Sequence, residues 1–385
     1  MFFLEKIFTI LSSTSIFLWL LLLIQPWQPW RIREYLEANK RSITNYQKQV
    51  PITVIIPARN EEEIIESTLE ALNKQGQLLD VIVVDDQSTD NTKLVVNNIK
   101  LKNLKIELVS GKSLPPGWAG KMWALEQALN KVKTELILII DADIRLHPEM
   151  LKTLVEKRYE SGARLVSVMV ELRMESFWEK LLMPAFVFFF KILYPFKLSN
   201  SSNRYVAAAA GGCILTDSSL LHQIGGFSAI KDALIDDCAL AKLVKNSGET
   251  TWIGLTKDAH SFRAYTTLSS IWKMVKRNAF TQLRSSLLLI LICTVLMILA
   301  FWVPVISIIA SVGATPKFIG IGALALMLIA YIPTLNFYKR SPFFALLMPV
   351  IGTLYLAMTW SSAISYWIGA QSKWKGRTYT RLKRK

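Results

Sequence analysis

The feature that most constrains the fold is a continuous apolar run that ends abruptly at two aspartates. The run Leu136–Ile140 is followed by Asp141, Ala142 and Asp143. A short apolar run of this kind, rich in β-branched side chains and bounded by charge, is typical of a strand buried on both faces of a parallel sheet. Open α/β sheets bind their ligands at the carboxyl ends of the strands. The pattern therefore predicts an α/β fold whose ligand site includes the two aspartates.

Asp141 and Asp143 are separated by a single alanine, so both side chains can turn toward one ion from a loop. Hard carboxylate oxygens suit Mg²⁺ or Mn²⁺, whose coordination is commonly completed by waters and substrate phosphates. The pair therefore predicts a divalent cation, Mg²⁺ or Mn²⁺, that holds a diphosphate. Taken alone, the motif fits a polar strand exit without a ligand at least as well.

Two earlier strands are predicted to end in the same way. Residues 52–56 and residues 81–84 each form an apolar strand that runs into a polar loop and then a helical pattern, and further short strands are predicted at 106–109 and 166–170. This repetition is the sequence form of a parallel sheet with right-handed crossovers. The polar loops contain Pro57, Arg59, Glu61, Asp85 and Asp86. Because several strands end in polar residues at their carboxyl ends, the shared position supports a binding site there more strongly than any one motif does.

A loop rich in proline and glycine, residues 114–123, leads to Lys121 at the start of a predicted helix. Backbone N–H groups and an ammonium at such a position can address a phosphate, and a solvated lysine on a surface turn is the alternative. Farther along, Gly211 and Gly212 would permit close approach of a ligand to the backbone. Both places are candidate parts of a binding site.

Asp236 and Asp237 stand directly before a helical pattern. A carboxylate in this position is either an ordinary helix N-cap or a general base, and the residues alone favour the cap. Cys213, Cys238 and Cys293 have neither the spacing of a disulfide framework nor a Cys-x-x-Cys motif, so we expect buried reduced thiols and no zinc site.

The first 30 residues are predicted to form a transmembrane anchor. Residues 7–25 carry no charge, and a bilayer core needs about 20 helical residues. Glu5 precedes this run and no small-residue cleavage site follows it, which argues against a signal peptide. The basic flank at Arg31 and Arg33 predicts that the next section is cytoplasmic.

Three more apolar segments, at 287–312, 318–335 and 343–370, follow the α/β region and precede a basic tail. Three full spans would place that tail outside, against the positive-inside rule. A re-entrant segment at 343–370, broken at Pro349 and Gly352, is one solution. The predicted organisation is an anchor at 1–30, an α/β domain at 50–284 with an interfacial helix at about 176–197, transmembrane segments at 285–371 and a basic tail at 372–385.

The chain of 385 residues has a formal net charge of +16 and a sequence pI near 9.7. Such a charge suits either nucleic acid or an anionic membrane surface. Because the basic residues cluster beside the apolar segments, we expect a membrane partner and no nucleic acid. For the aromatic segment 176–196, a core helix is the alternative to the interfacial helix.

Five motifs, in order along residues 51–282, resemble the family 2 glycosyltransferases, which are membrane enzymes with a GT-A nucleotide-binding fold. Each motif is weak alone, whereas the ordered set is specific. The resemblance implies a Rossmann-like α/β fold of the GT-A type with a parallel sheet, flanked by N-terminal and C-terminal transmembrane helices. The motifs are residues 54–62, residues 84–90, Asp141-Ala-Asp143, Gly211-Gly212 and Asp236-Asp237.

The resemblance also implies roles for these residues. Asp141 and Asp143 would hold the diphosphate and its metal ion. Asp237, in the pair with Asp236, would be the general base of an inverting single displacement. No covalent nucleophile is needed for such a reaction.

Binding roles follow from the same resemblance. Gly211 and Gly212 would adjoin the acceptor. The Gln-x-x-Arg-Trp motif of the family is absent, and Arg277 is the candidate for a cationic pyrophosphate contact in its place. The nucleotide-sugar would be held by Pro57, Arg59, Glu61, Asp85, Asp86, Lys121, Asp141 and Arg277.

Within the family, the chain is similar to the hopanoid-biosynthesis-associated glycosyltransferase group and also to ceramide glucosyltransferases. This implies transfer from a nucleotide-sugar, expected to be a UDP-sugar, to a lipid acceptor at a bacterial plasma membrane, with the catalytic domain in the cytoplasm. A polysaccharide or other-lipid transferase, a nucleotidyltransferase and an inactive membrane scaffold are the alternatives.

Overall fold

A computed structural model describes residues 2–38 and 50–369, and the backbone of 373–374 and 377–378. The chain divides into two compact units. A helical unit comprises Met1–Arg33, Met174–Lys197 and Tyr265–Ala370, and a sheet unit includes Glu34–Arg173 and Leu198–Ala264. Apart from two short strands, the predicted basic tail lies outside the described residues.

The strands and helices are numbered in chain order. The strands are β1 (Tyr35–Leu36), β2 (Ile52–Ala58), β3 (Leu79–Asp85), β4 (Leu104–Ser110), β5 (Leu136–Ile140), β6 (Ile144–Leu146), β7 (Leu165–Glu171), β8 (Cys213–Asp217), β9 (Thr251–Ser261), β10 (Lys373–Trp374) and β11 (Arg377–Thr378). The helices are α1 (Phe2–Ile24), α2 (Ile65–Asn73), α3 (Thr92–Asn98), α4 (Gly120–Leu129), α5 (Met150–Ser161), α6 (Phe177–Leu193), α7 (Phe196–Ser199), α8 (Ser218–Gln223), α9 (Asp236–Asn246), α10 (Leu268–Gln282), α11 (Leu287–Met297), α12 (Val303–Ala310), α13 (Ala314–Phe337) and α14 (Met348–Trp367).

In the part of the chain that the structure describes, the sheet unit is built on one sheet of nine strands. The order along the sheet is β1-β9-β7-β8-β5-β2-β3-β4, and β6 pairs with β9. The predicted strands β2, β3, β4, β5 and β7 are present, and the first four are mutually parallel. The sheet is nevertheless mixed rather than parallel, since β8 runs antiparallel to both β5 and β7. The predicted parallel arrangement is therefore present in β2, β3, β4 and β5, and β8 reverses the direction beside them.

Both faces of the sheet are covered, as the apolar run of β5 predicts. Ile137 and Ile139 lie in one apolar core and Leu138 and Ile140 lie in the other. All residues of β5 are buried. The strand is therefore fixed at the centre of the unit, and its carboxyl end delivers Asp141 and Asp143 to one edge of the sheet.

The helical unit contains four helices that are long and apolar enough to span a membrane, among the residues described. They are Phe3–Ile24, Leu287–Ala310, Ala314–Phe337 and Pro342–Trp367. The second of them includes a π-helical stretch, Ile298–Trp302, between α11 and α12. The carbonyl oxygen of Ala300 in this stretch accepts a hydrogen bond from Trp19 Nε1 at 2.9 Å.

The last candidate span is a 3₁₀ turn, Pro342–Leu347, followed directly by α14. Pro349 stands in the first turn of α14, where a missing N–H is tolerated, and the helix continues through Gly352. A Cβ at Gly352 would come 2.8 Å from Phe301 Cδ2, so this glycine permits close helix packing. The break expected at these two residues is therefore absent.

Helix α6, predicted at the membrane interface, packs inside the helical unit. Phe188 is fully buried and its ring lies 5.2 Å from that of Tyr331. Glu179 accepts the N–H of Ser176 at 2.9 Å in a capping box, and the Lys191 ammonium donates to the Arg31 carbonyl at 2.5 Å. Because both charges have partners, they are compatible with burial, and the core-helix alternative describes α6 better. The predicted domain of residues 50–284 is accordingly divided between the two units.

Candidate active site

The loops that follow β2 and β3 are locked together at the carboxyl edge of the sheet. Asn60 Oδ1 accepts the N–H of Thr89 at 2.8 Å, and the Asn60 N–H donates to Ser88 Oγ at 2.9 Å. Arg59 donates to the carbonyl oxygens of Asp86 and Gln87, the latter at 2.8 Å. The two predicted nucleoside loops therefore form one surface.

Backbone geometry shapes this surface. Asn60 and Gln87 have φ values of +52° and +55°, a region that asparagine tolerates and glutamine adopts rarely. Asp85 is buried and accepts the Ser88 N–H at 3.2 Å. Pro57 is buried within β2. The predicted nucleoside residues thus divide into buried supports, such as Pro57 and Asp85, and Arg59, which lies nearer the surface.

Asp141, at the end of β5, is paired with Lys121. The Lys121 ammonium at the start of α4 lies 2.7 Å from Asp141 Oδ1 and 3.4 Å from Asp236 Oδ2. Burial acts to lower the pKa of Lys121, but the two carboxylates more than offset it and hold that pKa above its ordinary value. The lysine is therefore a fixed cation inside the site rather than a solvated side chain on a surface turn.

Asp143 is held by residues of the β9 end that the sequence did not reveal. Ser261 Oγ donates to Asp143 Oδ2 at 2.7 Å, and Arg263 Nη2 lies 3.3 Å from Asp143 Oδ1. The same Arg263 nitrogen donates to Glu61 Oε1 at 2.7 Å. Arg263 thus joins the loop after β2 to the predicted metal ligand. Only a prediction of β9 with its polar exit could have pointed to these two residues.

Asp237 faces Gly211 across the site. The Gly211 N–H donates to Asp237 Oδ2 at 2.8 Å, and the Cys238 N–H donates to Asp237 Oδ1 at 2.7 Å. The N-cap of α9 is Ile235, so neither aspartate is the cap. Burial, followed by the charge of Asp236, raises the pKa of Asp237 to about 6, against the opposing effect of these two N–H groups. The carboxylate is therefore tuned toward the range in which a general base works at neutral pH.

Gly211 connects the two charged halves of the site. Its carbonyl accepts from the Lys121 ammonium at 3.4 Å. A Cβ at this position would come 3.2 Å from Lys121 Nζ and 3.3 Å from Asp237 Oδ2. The neighbouring Gly212 carbonyl accepts the N–H of Asp141 at 3.2 Å. The glycine pair therefore brings the backbone against Asp141, Asp237 and Lys121, and a Cβ at Gly211 would crowd Lys121 and Asp237.

A small pocket opens between Lys121, Asp236 and Asp237. The apolar side chains that line it are Met122, Leu125, Ile139, Ile214, Phe227, Ile230 and Leu240. Polar groups that converge on an apolar pocket are the usual form of a small-molecule site.

The donor set fits a hard divalent cation. Burial raises the pKa of Asp141, Lys121 opposes this rise, and the charge of Asp143 adds to it, so the two carboxylates repel each other. Among the described residues, no group of three or more His, Cys, Asp or Glu side chains could hold a metal ion. An Mg²⁺ or Mn²⁺ ion on Asp141 and Asp143 would therefore take its other ligands from water and phosphate, as these ions commonly do.

Arg277, the predicted pyrophosphate contact, lies on α10 in the helical unit. The other predicted site residues lie in the sheet unit. The role of Arg277 stays a prediction.

Residues 53–225 match the family model described as glycosyl transferase family 2. Over 124 residues the chain is 29% identical to a 4,4'-diaponeurosporenoate glycosyltransferase of Staphylococcus haemolyticus, an alignment that covers 31% of this chain and 32% of the relative. Over 123 residues it is 35% identical to the amylovoran biosynthesis glycosyltransferase AmsB of Erwinia amylovora, covering 30% and 40% of the two chains. The aligned part thus covers well under half of each relative.

A solved structure shares the fold over most of the chain. It is the mannosyltransferase PcManGT of Pyrobaculum calidifontis, in complex with GDP-Man and Mn²⁺, with a TM-score of 0.57 at 18% identity, covering 96% of this chain and all of that one. The chain therefore has a GT-A-like mixed α/β fold, and its residues 53–225 match the glycosyl transferase family 2 model.

Proposed function

We propose that this protein is an inverting glycosyltransferase that moves a sugar from a nucleotide-sugar to a membrane lipid, with Asp237 as general base. The observation that carries the proposal is the arrangement around Gly211. Its N–H donates to Asp237, whose pKa is raised to about 6. Its carbonyl accepts from Lys121, which is paired with Asp141. A base beside a cationic phosphate site is what single displacement requires.

The donor is proposed to be a nucleoside diphosphate sugar, with UDP as the nucleotide. The interlocked loops after β2 and β3 would hold the nucleoside, and Lys121 would bind the diphosphate. Asp141 and Asp143 would hold Mg²⁺ or Mn²⁺, and that ion would offset charge on the departing diphosphate. The fold is shared with a mannosyltransferase solved with GDP-Man and Mn²⁺, which supports a nucleotide-sugar and a divalent cation.

The chain's own residues account for the proton. Asp237 would take the proton of an acceptor hydroxyl as the hydroxyl oxygen attacks the anomeric carbon, and the bond from that carbon to the diphosphate oxygen would break. The N–H groups of Gly211 and Cys238 hold the carboxylate in place, which leaves its remaining lone pairs for the proton. General-base assistance of this kind is worth about 10²–10⁴-fold in rate.

The acceptor is proposed to be a lipid alcohol, of the hopanoid type that the sequence resemblance suggests. Four helices able to span a membrane support a lipid acceptor, as does a relative named for diaponeurosporenoate glycosylation. A ceramide-like lipid is an alternative. We further propose that the protein resides in a bacterial plasma membrane with its sheet unit in the cytoplasm, where the nucleotide-sugars are made.

The test uses membranes from cells that express the wild type, Asp237→Asn or Asp232→Asn. They are incubated with Mn²⁺ or Mg²⁺ and a panel of radiolabelled UDP-sugars and GDP-mannose, and label is counted in the lipid extract. Asp237→Asn is expected to lower transfer by about 10²–10⁴-fold. Asp232→Asn removes the same charge from an exposed position in the preceding loop and is expected to retain transfer.

Two results would contradict the proposal. Full transfer by Asp237→Asn would exclude this residue as the base. Label in the water-soluble saccharide fraction, with none in the lipid extract, would favour a saccharide acceptor instead of a lipid.

A further inference from the structure

Each of the two predicted metal ligands already has a cation from the chain itself. The Lys121 ammonium lies 2.7 Å from Asp141 Oδ1, and the Arg263 guanidinium lies 3.3 Å from Asp143 Oδ1. The second oxygen of Asp143 accepts the hydroxyl of Ser261 at 2.7 Å. Each carboxylate therefore has a cationic partner from the chain on at least one of the oxygens that a metal ion would use.

The contacts of Arg263 lie where solvent screens charge weakly, whereas the Lys121 and Asp141 side chains are 17% and 34% exposed. The side chains of Glu61 and Asp143 are 7% and 9% exposed, and that of Arg263 is 28% exposed. A divalent cation on the aspartates would lie within a few ångströms of the ammonium and the guanidinium, so all three cations would repel one another strongly. Either the metal ion binds weakly or the two side-chain cations must find another anion.

The diphosphate of the donor is such an anion. Guanidinium and ammonium groups both bind phosphate oxygens well, the guanidinium through paired N–H groups. Arg263 also contacts Glu61, at 2.7 Å, so it can leave Asp143 while it keeps one carboxylate. The exchange would leave the metal ion with the aspartates and the two cations with phosphate.

We infer that Lys121 and Arg263 are internal counter-ions of the metal site, which hold Asp141 and Asp143 until the metal ion and the nucleotide diphosphate arrive and then transfer to the diphosphate. The inference rests on the proposed function, because it takes the two aspartates as metal ligands. Arg263 is accordingly a positioning residue, and its presence weakens metal binding in the absence of nucleotide.

A metal ion and a nucleotide can also strengthen each other's binding simply because the diphosphate binds the metal ion directly. That coupling does not depend on Lys121 or Arg263, and it has the same size whether metal or nucleotide binding is measured. The two explanations therefore differ in what they predict for the protein without nucleotide. If an internal cation weakens metal binding, in contrast, the effect is measurable in the affinity for Mn²⁺ without any nucleotide. Removal of the positive charge of Arg263 is therefore expected to tighten Mn²⁺ binding without nucleotide and to reduce the gain that a nucleotide adds.

The experiment measures free Mn²⁺ by electron paramagnetic resonance in titrations of the purified full-length chain, first without nucleotide and then with UDP or GDP. Arg263→Gln is expected to bind Mn²⁺ about tenfold more tightly than the wild type, within the usual range of coupling between sites. Arg263→Lys keeps the charge and is expected to stay near the wild type. Lys131→Gln, which breaks an exposed pair with Glu107, is the control for a general loss of charge and is expected to change nothing.

A second variant keeps the test decisive. Arg263→Gln leaves Glu61 and Asp143 without this partner and can impair folding, so thermal unfolding of each variant is recorded. If that variant does not fold, Lys121→Gln performs the same test on Asp141.

The outcomes distinguish the inference from the proposed function. Equal Mn²⁺ affinity in the wild type, Arg263→Gln and Lys121→Gln would overturn the inference and leave metal-dependent transfer intact. Absence of Mn²⁺ binding in every variant, with and without nucleotide, would overturn both the inference and the proposed metal site.

Discussion

Gly211 is the residue on which the candidate site depends most directly. Its N–H and carbonyl hold Asp237 and Lys121, and a Cβ would crowd both side chains at 3.2–3.3 Å. Gly211→Ala is therefore expected to displace the base by a few tenths of an ångström and to lower kcat, since misplacement of about 1 Å can cost about 10²-fold. Steady-state kinetics of sugar transfer measure the effect.

Gly212→Ala is the comparison for this prediction. A Cβ at Gly212 would meet Val170 at 3.4 Å, which is ordinary contact. A smaller loss than that of Gly211→Ala is therefore expected. Equal losses in the two variants would mean that a general loss of glycine, rather than the contact with Lys121 and Asp237, is responsible.

The raised pKa of Asp237 predicts a pH dependence of transfer. The base acts as a carboxylate, and burial followed by the charge of Asp236 raises its pKa to about 6. Transfer is therefore expected to rise with pH below about 6 and to level off above it. A kcat profile from pH 4.5 to 8 measures this, and Asp236→Asn is expected to move the midpoint to lower pH. A flat profile would contradict the assignment of Asp237 as base.

At the scale of single residues, the sequence located one side of the site better than the other. Asp141 directly follows a buried strand, so chain position predicts that it lies at the sheet edge, whereas the role of Asp237 came only from the family resemblance. Arg263 and Ser261 lie about 120 residues beyond Asp143 and belong to no motif. Only tertiary folding brings them to the metal ligands, and local sequence carries no signal of that contact.

Helix α9 is the element that supports both the base and the approach to the glycine pair. Its first turn carries Asp237, and its last turn carries Lys245, a buried lysine. The Lys245 ammonium donates to the carbonyl oxygens of Ser201, Asn203 and Val206 at 2.8–3.0 Å. One helix therefore fixes the base and the loop that leads to Gly211.

Removal of this ammonium is expected to loosen the loop. Lys245→Met leaves three part-buried carbonyls without this donor, and water can replace it only in part, so a loss within the usual cost of about 1–3 kcal/mol for an unsatisfied group is expected. Hydrogen exchange is expected to speed up at residues 201–210, and the thermal unfolding temperature is expected to fall. Lys242 lies on the same helix and donates to the Arg204 carbonyl. Lys242→Met removes this single bond and is expected to have a smaller effect. Unchanged exchange in Lys245→Met would show that the loop is held by other contacts.

At the scale of elements, the strands that repeat the strand, loop and helix order were predictable, and β8 and β9 were not. Residues 213–217 follow a run of alanines and glycines that suggests a loop, yet they pair with β5 and β7. Residues 251–261 include Lys257, Asp258 and His260, which break the alternation expected of a strand. These two segments form strands because they pair with buried neighbouring strands. That pairing depends on the whole sheet and cannot be seen in either segment alone.

For the whole chain, the side of the membrane on which the basic C-terminal tail lies can be determined by experiment. The basic flank at Arg31 and Arg33 and the basic tail both favour the cytoplasm. In a background without native cysteines, cysteine probes at Leu78, which is exposed in the sheet unit, and at Lys385 are expected to react with an impermeant maleimide only after permeabilisation. Reaction of the Lys385 probe in intact cells would mean that all three C-terminal segments cross the bilayer.

Composition and hydropathy predicted the presence of a membrane-type helical region and an α/β domain, but not the assignment of α6. The aromatic segment contains charged residues, and for a helix considered by itself such charges favour the membrane interface over a buried core. In the folded unit, a capping box takes up Glu179 and a carbonyl takes up Lys191. The Arg31 carbonyl that binds Lys191 lies 160 residues away in the sequence, and the local Ser176–Glu179 capping box does not register in hydropathy. Hydropathy alone therefore does not place α6 in a core.

The π-helical stretch Ile298–Trp302 fixes the length of its helix to the residue. A π turn holds about one residue more than an α turn, so a single deletion there would restore regular α-helical winding with little change in the faces of α11 and α12. Thr294 on α11 accepts the indole N–H of Trp360 and would keep it, whereas Ala300 lies within the wide turn and accepts the indole N–H of Trp19. The deletion is therefore expected to break the bond to Trp19 alone. The extra residue thus presents one carbonyl to a neighbouring helix without turning the rest of the helix surface.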